Sequence, residues 1–438
     1  METRLFFSIA RLLLVWGLVC SAGPALAQQV DLVVSPGSRL LISGKKQTIP
    51  VRVSLTGVAS KEKMRAVANV AIVLDRSGSM SGEKMERARE AAISAVERLQ
   101  ADDIISVVTY DDVAEVVVPA TKVRDREFVI RAIRAINVRG STALFAGVSL
   151  GASELRKFLD RNHVNRIVLI SDGLANVGPS SPGELGDLGA SLAKEGISVS
   201  TLGLGLHYNE DVMTELAGRS DGRHAFVENA ADLARVFENE FGDIFSVVAS
   251  DVTIQIVCNE RVRPVRVIGR RAEITGQVVT LALNQIYAEQ QKYVVLEVEV
   301  PAGTVGQRSQ LAQVEVQYSN LSNKQRERMS KEVAVSYSSS VEEVEASADK
   351  ATMEAYYTQL NADANLKAIA LRDQNKIEEA QRLLRGNASD LRVQANKYGG
   401  ALGGIAVETD RRAAGLDKGD WNRSRKEMSA SAFSRKNQ

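Results

Sequence analysis

The chain has 438 residues, with 55 Lys and Arg against 54 Asp and Glu, 45% hydrophobic and 25% charged. Near-neutrality excludes a general polyanion binder, because no long-range field draws in nucleic acid or anionic lipid, and the composition excludes wholesale disorder. Of the two cysteines, Cys20 lies in an N-terminal leader, which leaves Cys258 alone and excludes an intramolecular disulfide or a multi-cysteine metal site.

The leader comes first in the chain. Arg4 and Arg11 precede an apolar run from Leu12 to Cys20, and Pro24 leads into Ala25-Leu26-Ala27. A basic start, a short apolar run and a small-residue site make residues 1–27 a secretory signal peptide, with cleavage expected before Gln28. The run is too short to cross ~30 Å of hydrocarbon. Its removal leaves 411 residues with 53 basic and 53 acidic side chains, a net charge of zero. No later stretch approaches 18 apolar residues, so no transmembrane segment is expected in the mature chain. The expected location is periplasmic or extracellular.

Residues 28–66 hold two strand-like pieces, Val30–Val34 and Ile49–Leu55, with Pro36-Gly37 and Ser43-Gly44 as turns. They are expected to pack with a later β-domain. A charged piece at 61–65 reads as a linker. Residues 67–246 then change pattern. Strands are expected at 70–74, 104–109, 115–118, 166–170 and 198–202, with a weaker one near 224–227. Helices are expected at 84–99, 126–136, 144–159, 183–194, 211–217 and 231–244. Continuous apolar strands alternating with helices predict an α/β fold, a doubly wound, mostly parallel sheet covered on both faces.

Residues 247–340 lose the helical signal and alternate with period 2, which predicts an antiparallel β-sandwich. Residues 341–398 are rich in Ala, Glu, Gln, Leu and Lys and read as a helical hairpin or cap on that sandwich. Residues 399–438 begin with glycine pairs and carry eight basic and three acidic residues from Arg411 onward. This tail is expected to be disordered.

The chemistry concentrates in the α/β segment. Its first strand runs into Asp75-Arg76-Ser77-Gly78-Ser79, and a later one into Ser171-Asp172-Gly173. Ligands in doubly wound sheets sit at the carboxyl ends of strands, and both aspartates are at such ends. Thr142, in a loop before a helix, is a third contributor. The set Asp75, Ser77, Ser79, Thr142 and Asp172 offers hard oxygens only, which selects Mg²⁺, with Mn²⁺ and Ca²⁺ as alternatives, over zinc or copper. Two carboxylates just neutralise a divalent ion, so an open position would seek one more anionic oxygen. An Asp or Glu of a partner protein fits that need.

These residues resemble the metal-ion-dependent adhesion site of the von Willebrand factor type A (VWA) domain, which places D-x-S-x-S, a separate Thr and a separate Asp in this order. The resemblance covers 69–245. It implies metal-dependent protein binding, with Asp75, Ser77, Ser79, Thr142 and Asp172 as metal ligands. It also implies that ligand binding shifts the loops and the last helix at 231–244. The wider layout, including Gly203–Asp211, is similar to secreted bacterial proteins labelled calcium-activated chloride channel homologues.

Other features read more plainly. Tyr208 to Asp211 look like a helix start, with Asn209 as cap. Tyr110-Asp111-Asp112 reads as a turn between strands or as a tuner of the ion. His163, His207 and His224 are dispersed and read as surface or structural. Arg261, Arg263, Arg266, Arg270 and Arg271 read as a solvated strand face, with an acidic partner patch as the other option. No G-x-S-x-G string sits at a strand-to-helix elbow and no phosphate-binding loop occurs, so no enzyme is expected. The alternatives to an adhesion module are a structural protein whose metal only stabilises the fold, and a metal-assisted hydrolase for which no general base can be named.

Overall fold

The computed structural model describes residues 29–59 and 65–437. The leader and most of the 61–65 linker lie outside the described residues. The chain opens with β1 (Val30–Pro36), β2 (Leu40–Ile42) and β3 (Gln47–Gly57). It then builds the α/β unit from β4 (Ala68–Asp75), α1 (Glu83–Arg98), β5 (Ile104–Tyr110), β6 (Ala114–Lys122), α2 (Arg126–Arg134) and α3 (Leu144–Arg156). β7 (Val164–Ser171), α4 (Pro182–Lys194), β8 (Ile197–Leu204), α5 (Glu210–Arg219), β9 (His224–Val227) and α6 (Leu233–Phe245) complete it.

The sheet order is β6-β5-β4-β7-β8-β9, parallel except for β6 against β5. Every residue of β4, β5, β7 and β8 is buried, as strands covered on both faces require. One face packs on α1, α2 and α6 through residues such as Ala92, Ile133 and Phe241. The other packs on α3, α4 and α5 through Val148, Leu192 and Leu216. Local signals start the helices. Ser181 and Glu184 form a capping box on α4, and Asn209 accepts the Asp211 and Val212 N–H groups at α5.

A β-sandwich follows: β10 (Val247–Cys258), β11 (Arg263–Ile268), β12 (Glu273–Thr275), β13 (Val278–Tyr287), β14 (Gln291–Val300), β15 (Arg308–Asn320) and β16 (Gln325–Ser338). Its sheets run β1-β3-β14-β11 and β12-β13-β10-β15-β16-β2. The N-terminal strands thus belong to the sandwich, with Val53 and Leu55 in the same core as Ile254 and Val316. The α/β unit is an insertion. The chain leaves the sandwich at the end of β3 and re-enters at β10, one residue after α6 ends. Gly57 at the exit touches backbone. A Cβ there would lie 2.1 Å from the Tyr287 carbonyl oxygen.

The helical part comprises α7 (Val341–Ala346), α8 (Lys350–Asp373), α9 (Ile377–Tyr398), α10 (Gly400–Gly415) and α11 (Trp421–Lys436). The expectation of disorder after 399 is wrong. α10 lies along α9, and α11 along α8, reaching α5 and β9. The basic residues that suggested a solvated tail are ion-pair partners. Arg425 bonds Glu210, Asp211 and Asp373, Arg435 bonds Glu408 and Asn361, and Lys436 pairs with Asp363. Small residues such as Ala406, Thr409 and Ala413 let α10 pack closely, and all are fully buried.

The arginine cluster is largely a solvated face, as expected, with Arg261, Arg263, Arg266 and Arg271 all exposed. Arg263, Arg266 and Arg271 pair with Glu299, Glu297 and Glu215. Arg270 is half-buried, at 3.1 Å from Asp221 and 2.7 Å from the Asn437 carbonyl. A fully buried joint is Arg166 of β7. It reaches Glu240 of α6 at 2.6 Å and the Tyr287 hydroxyl of β13 at 2.6 Å, tying the insertion to the sandwich. Cys258 is buried, and burial pushes its thiol up to about 11.

The dock of α11 yields two predictions. Lys426 is buried, donates to the Tyr208 carbonyl at 2.7 Å and to Glu210 at 2.5 Å, and stands 4.2 Å above the Tyr208 ring. Burial alone would raise the Glu210 carboxyl, but Lys426 and Arg425 hold it below its ordinary value. Lys426→Ala therefore lowers stability by about 3 kcal/mol in denaturant unfolding. His224 of β9, against Phe433 of α11, is buried, and burial pushes its imidazole from 6.5 down to about 4. The folded ring stays neutral down to about 4, whereas the unfolded one binds a proton near 6.5, so acid favours the unfolded chain between those values. Stability is expected to fall by about 3 kcal/mol across that window. His224→Gln should flatten that part of the pH profile.

Candidate metal centre

The parallel sheet delivers Asp75 and Asp172 to the same edge, because β4 and β7 are neighbours that end in register. Both carboxylates are fully buried. Asp75 Oδ1 accepts the Ser77 N–H at 2.8 Å, and Oδ2 accepts the Ser171 hydroxyl at 2.6 Å. The Ser77 and Ser79 hydroxyls lie 3.1 Å apart, and Ser79 donates to Asp172 Oδ1 at 2.7 Å. Ser79 is exposed, so the cluster opens to solvent on that side.

Thr142 joins through the loop before α3. It is buried, and its N–H donates to Asn176 Oδ1 at 2.8 Å. The convergence is visible at Gly173. A Cβ there would lie 3.0 Å from Thr142 Oγ1, 3.5 Å from Ser79 Oγ and 3.6 Å from Asp75 Oδ2. Three of the five residues thus turn oxygens towards one point that a glycine leaves open. Ser77 and Asp172 connect to them by the bonds above. No group of three or more His, Cys, Asp or Glu suited to a metal occurs among the described residues. Two carboxylates with three hydroxyls fit a hard divalent cation and do not fit zinc.

Burial pushes the Asp75 carboxyl up to about 6, against hydrogen bonds from Ser171 and Ser77, and the Asp172 charge raises it further. Tyr110 lies buried nearby, and burial together with the Asp75 charge holds its phenol protonated.

A ring of contacts fixes the loops. The Arg76 N–H donates to the Tyr110 carbonyl at 3.0 Å, the Arg139 N–H to the Arg76 carbonyl at 2.7 Å, and the Gly78 N–H to the Gly140 carbonyl at 3.2 Å. Gly140 has φ +73°, and a Cβ there would lie 2.6 Å from Asp112 Oδ2. Asp111 binds Arg76 at 2.6 Å and Arg139 at 2.7 Å, and Glu115 binds both arginines as well. Asp111 and Asp112 do form a turn between β5 and β6, and Asp111 also braces two loops of the cluster.

Sequence reasoning missed Lys84, whose ammonium is ion-paired with Asp172 Oδ2. It also missed Ser171, Asn176 and the Arg76–Asp111–Arg139 brace. Lys84 had one available signal. It stands in the first turn of α1, where the helix dipole disfavours a cation.

Burial works against the Asp111 charge, but hydrogen bonds from Arg139, Val113 N–H and Arg76 hold its carboxyl below its ordinary value. Asp111→Ala leaves Arg76 nearly buried with only Glu115. It is expected to cost about 3 kcal/mol of stability, measured by denaturant unfolding.

Residues 69–239 match the model of the von Willebrand factor type A domain. An uncharacterised protein of Synechocystis sp., sll0103, is 27% identical over 278 residues, 61% of this chain and 65% of that one. YfbK of Escherichia coli is 27% identical over 216 residues, 49% of this chain and 38% of its own length. Inter-alpha-trypsin inhibitor heavy chain H3 of Homo sapiens is 28% identical over 176 residues, 38% of this chain and 20% of its own. The chain thus spans less than two thirds of each of these relatives. Among solved structures, a von Willebrand factor type A protein from Catenulispora acidiphila aligns with TM-score 0.72 at 17% identity, over 91% of this chain and 92% of that one. The ArnB paralog VWA2 from Sulfolobus acidocaldarius aligns with TM-score 0.63 at 16% identity, over 93% and 98%. At such identities the likeness is one of fold, and it extends past the α/β unit to the sandwich and helices. Residues 69–239 of this chain are therefore a von Willebrand factor type A domain, inserted in a β-sandwich and backed by C-terminal helices.

Proposed function

We propose that this chain is an exported, metal-dependent protein-binding module, an adhesion or scaffold protein and not an enzyme. VWA domains commonly mediate protein–protein interaction, which supports the coarse part of this reading. The observation that carries the finer part is the convergence of Asp75, Ser79 and Thr142 oxygens on the space beside Gly173. Asp75, Ser77, Ser79, Thr142 and Asp172 would hold a divalent ion, Mg²⁺ foremost. When bound, the ion supplies an open position that favours an anionic oxygen. The chain's own part is to hold the hydroxyls in place, to keep the two carboxylates out of water and to leave the Ser79 side open. The partner would complete the site with an Asp or Glu carboxylate, a charge-assisted contact in partly desolvated surroundings.

Export rests on the leader in residues 1–27. No helix among the described residues is long and apolar enough to cross a membrane. N-terminal sequencing of the chain recovered outside the cytoplasm should begin at Gln28, and an intact Met1 there would contradict processing.

Two measurements test the binding reading. Mg²⁺ at a hundredfold excess over Kd should stabilise the protein by about 2.7 kcal/mol, and Asp75→Ala should abolish that gain. A crosslinked pulldown from the exported fraction, run with Mg²⁺, with chelator and with Asp75→Ala, should lose the same partner in both controls. A folded Asp75→Ala protein that keeps its partner would instead point to a structural ion, with the sandwich or helices making the contacts.

A further inference from the structure

Lys84 is the second residue of α1, where the positive end of the helix disfavours a cation. It is nevertheless held at the cluster. Its ammonium is ion-paired with Asp172 Oδ2 and lies 3.3 Å from the Ser79 carbonyl. Its side chain is about one third exposed, at 30%. The loop after β8 runs beside it. A Cβ on Gly205, where φ is +73°, would lie 3.9 Å from Lys84 Cε and Nζ. Asp172 therefore has one oxygen on the Ser79 hydroxyl and the other on the Lys84 ammonium.

This placement changes the charge of the site. Asp75 and Asp172 alone would neutralise a divalent ion. With Lys84 present, one of their two negative charges is already matched, so an ion would leave the site with one positive charge in excess. The neighbouring groups do not remove it, because Arg76 and Arg139 are matched by Asp111 and Glu115. We propose that Lys84 is a specificity-determining residue. It weakens binding of the bare ion and strengthens binding of an anionic ligand group to the loaded site, over a neutral carbonyl. Ion and carboxylate assist each other's binding through their own opposite charges, while the fixed ammonium repels one and attracts the other. The inference rests on the ion reading above and deepens it.

The two effects have opposite signs, which a merely structural role for Lys84 would not produce. The variants are Lys84→Met and Lys84→Gln, with Lys84→Arg as the charge-keeping control. Mg²⁺ affinity is read by titration calorimetry without carboxylate buffers. Ligand affinity is read with ¹³C-acetate as the minimal carboxylate and acetamide as the neutral comparator, through paramagnetic relaxation by Mn²⁺ in the site. Lys84→Met and Lys84→Gln should bind Mg²⁺ about fivefold more tightly and acetate about fivefold more weakly, with both changes shrinking in high salt. Lys84→Arg should stay near the parent protein on both counts. Variants that weaken both, or change neither, overturn the role of Lys84 while leaving Asp75-dependent ion binding intact. If the parent protein and Asp75→Ala bind Mg²⁺ alike, or neither binds it, the ion reading itself fails and this inference fails with it.

Discussion

Two carboxylates share one buried spot at the end of a parallel sheet. Taking like charges out of water together is costly, and the surrounding chain is arranged to offset that cost. Ser171 and the Ser77 N–H serve Asp75, while Ser79 and Lys84 serve Asp172. None of these groups relieves the convergence of oxygen at Gly173, which needs a glycine because a side chain would fill it. The sheet supplies the position, since β4 and β7 pair in register and end together. The loops supply the rest, held by the Arg76–Asp111–Arg139 brace.

Much of this was legible in the amino-acid order. Runs rich in Ile and Val such as Ile104–Tyr110 read as strands covered on both sides, and their alternation with helical segments left few choices of fold. Asp75, Ser77, Ser79 and Asp172 announced themselves by falling where such strands end. What escaped notice depends on partners far away in sequence. The charges of Arg425, Lys426 and Arg435 look like solubility until Glu210 and Glu408 are seen opposite them. Short β12 and the register of β2 against β16 carry too few residues to signal a strand. Lys84 looked like one more exposed helical lysine, because its ion-pair partner is 88 residues away.

The C-terminal helix extends the same logic to the whole chain. Tyr208 lies flat on Gly203, where a Cβ would come within 2.2 Å of its ring, and Lys426 covers it from outside. The loop that carries Tyr208 also carries Gly205, where a Cβ would lie 3.9 Å from Lys84 Nζ. A run of packed residues therefore connects the last helix to the edge of the oxygen cluster. Buried charge appears at both ends of that run and is paired at both. The Lys426–Glu210 pair ties the VWA domain to the last helix, and the Lys84–Asp172 pair ties α1 to the cluster.

The insertion of the VWA domain has a mechanical side. Its two attachments, β3 and β10, belong to opposite sheets of the sandwich, and each has a hydrogen-bonded neighbour on both sides. A tug on something held at the cluster would reach the sandwich as tension along two interior strands, one per sheet. Such strands must shear whole ladders of hydrogen bonds to come free, whereas an edge strand could be peeled away bond by bond. Both attachments of the VWA domain are thus interior strands, one in each sheet of the sandwich.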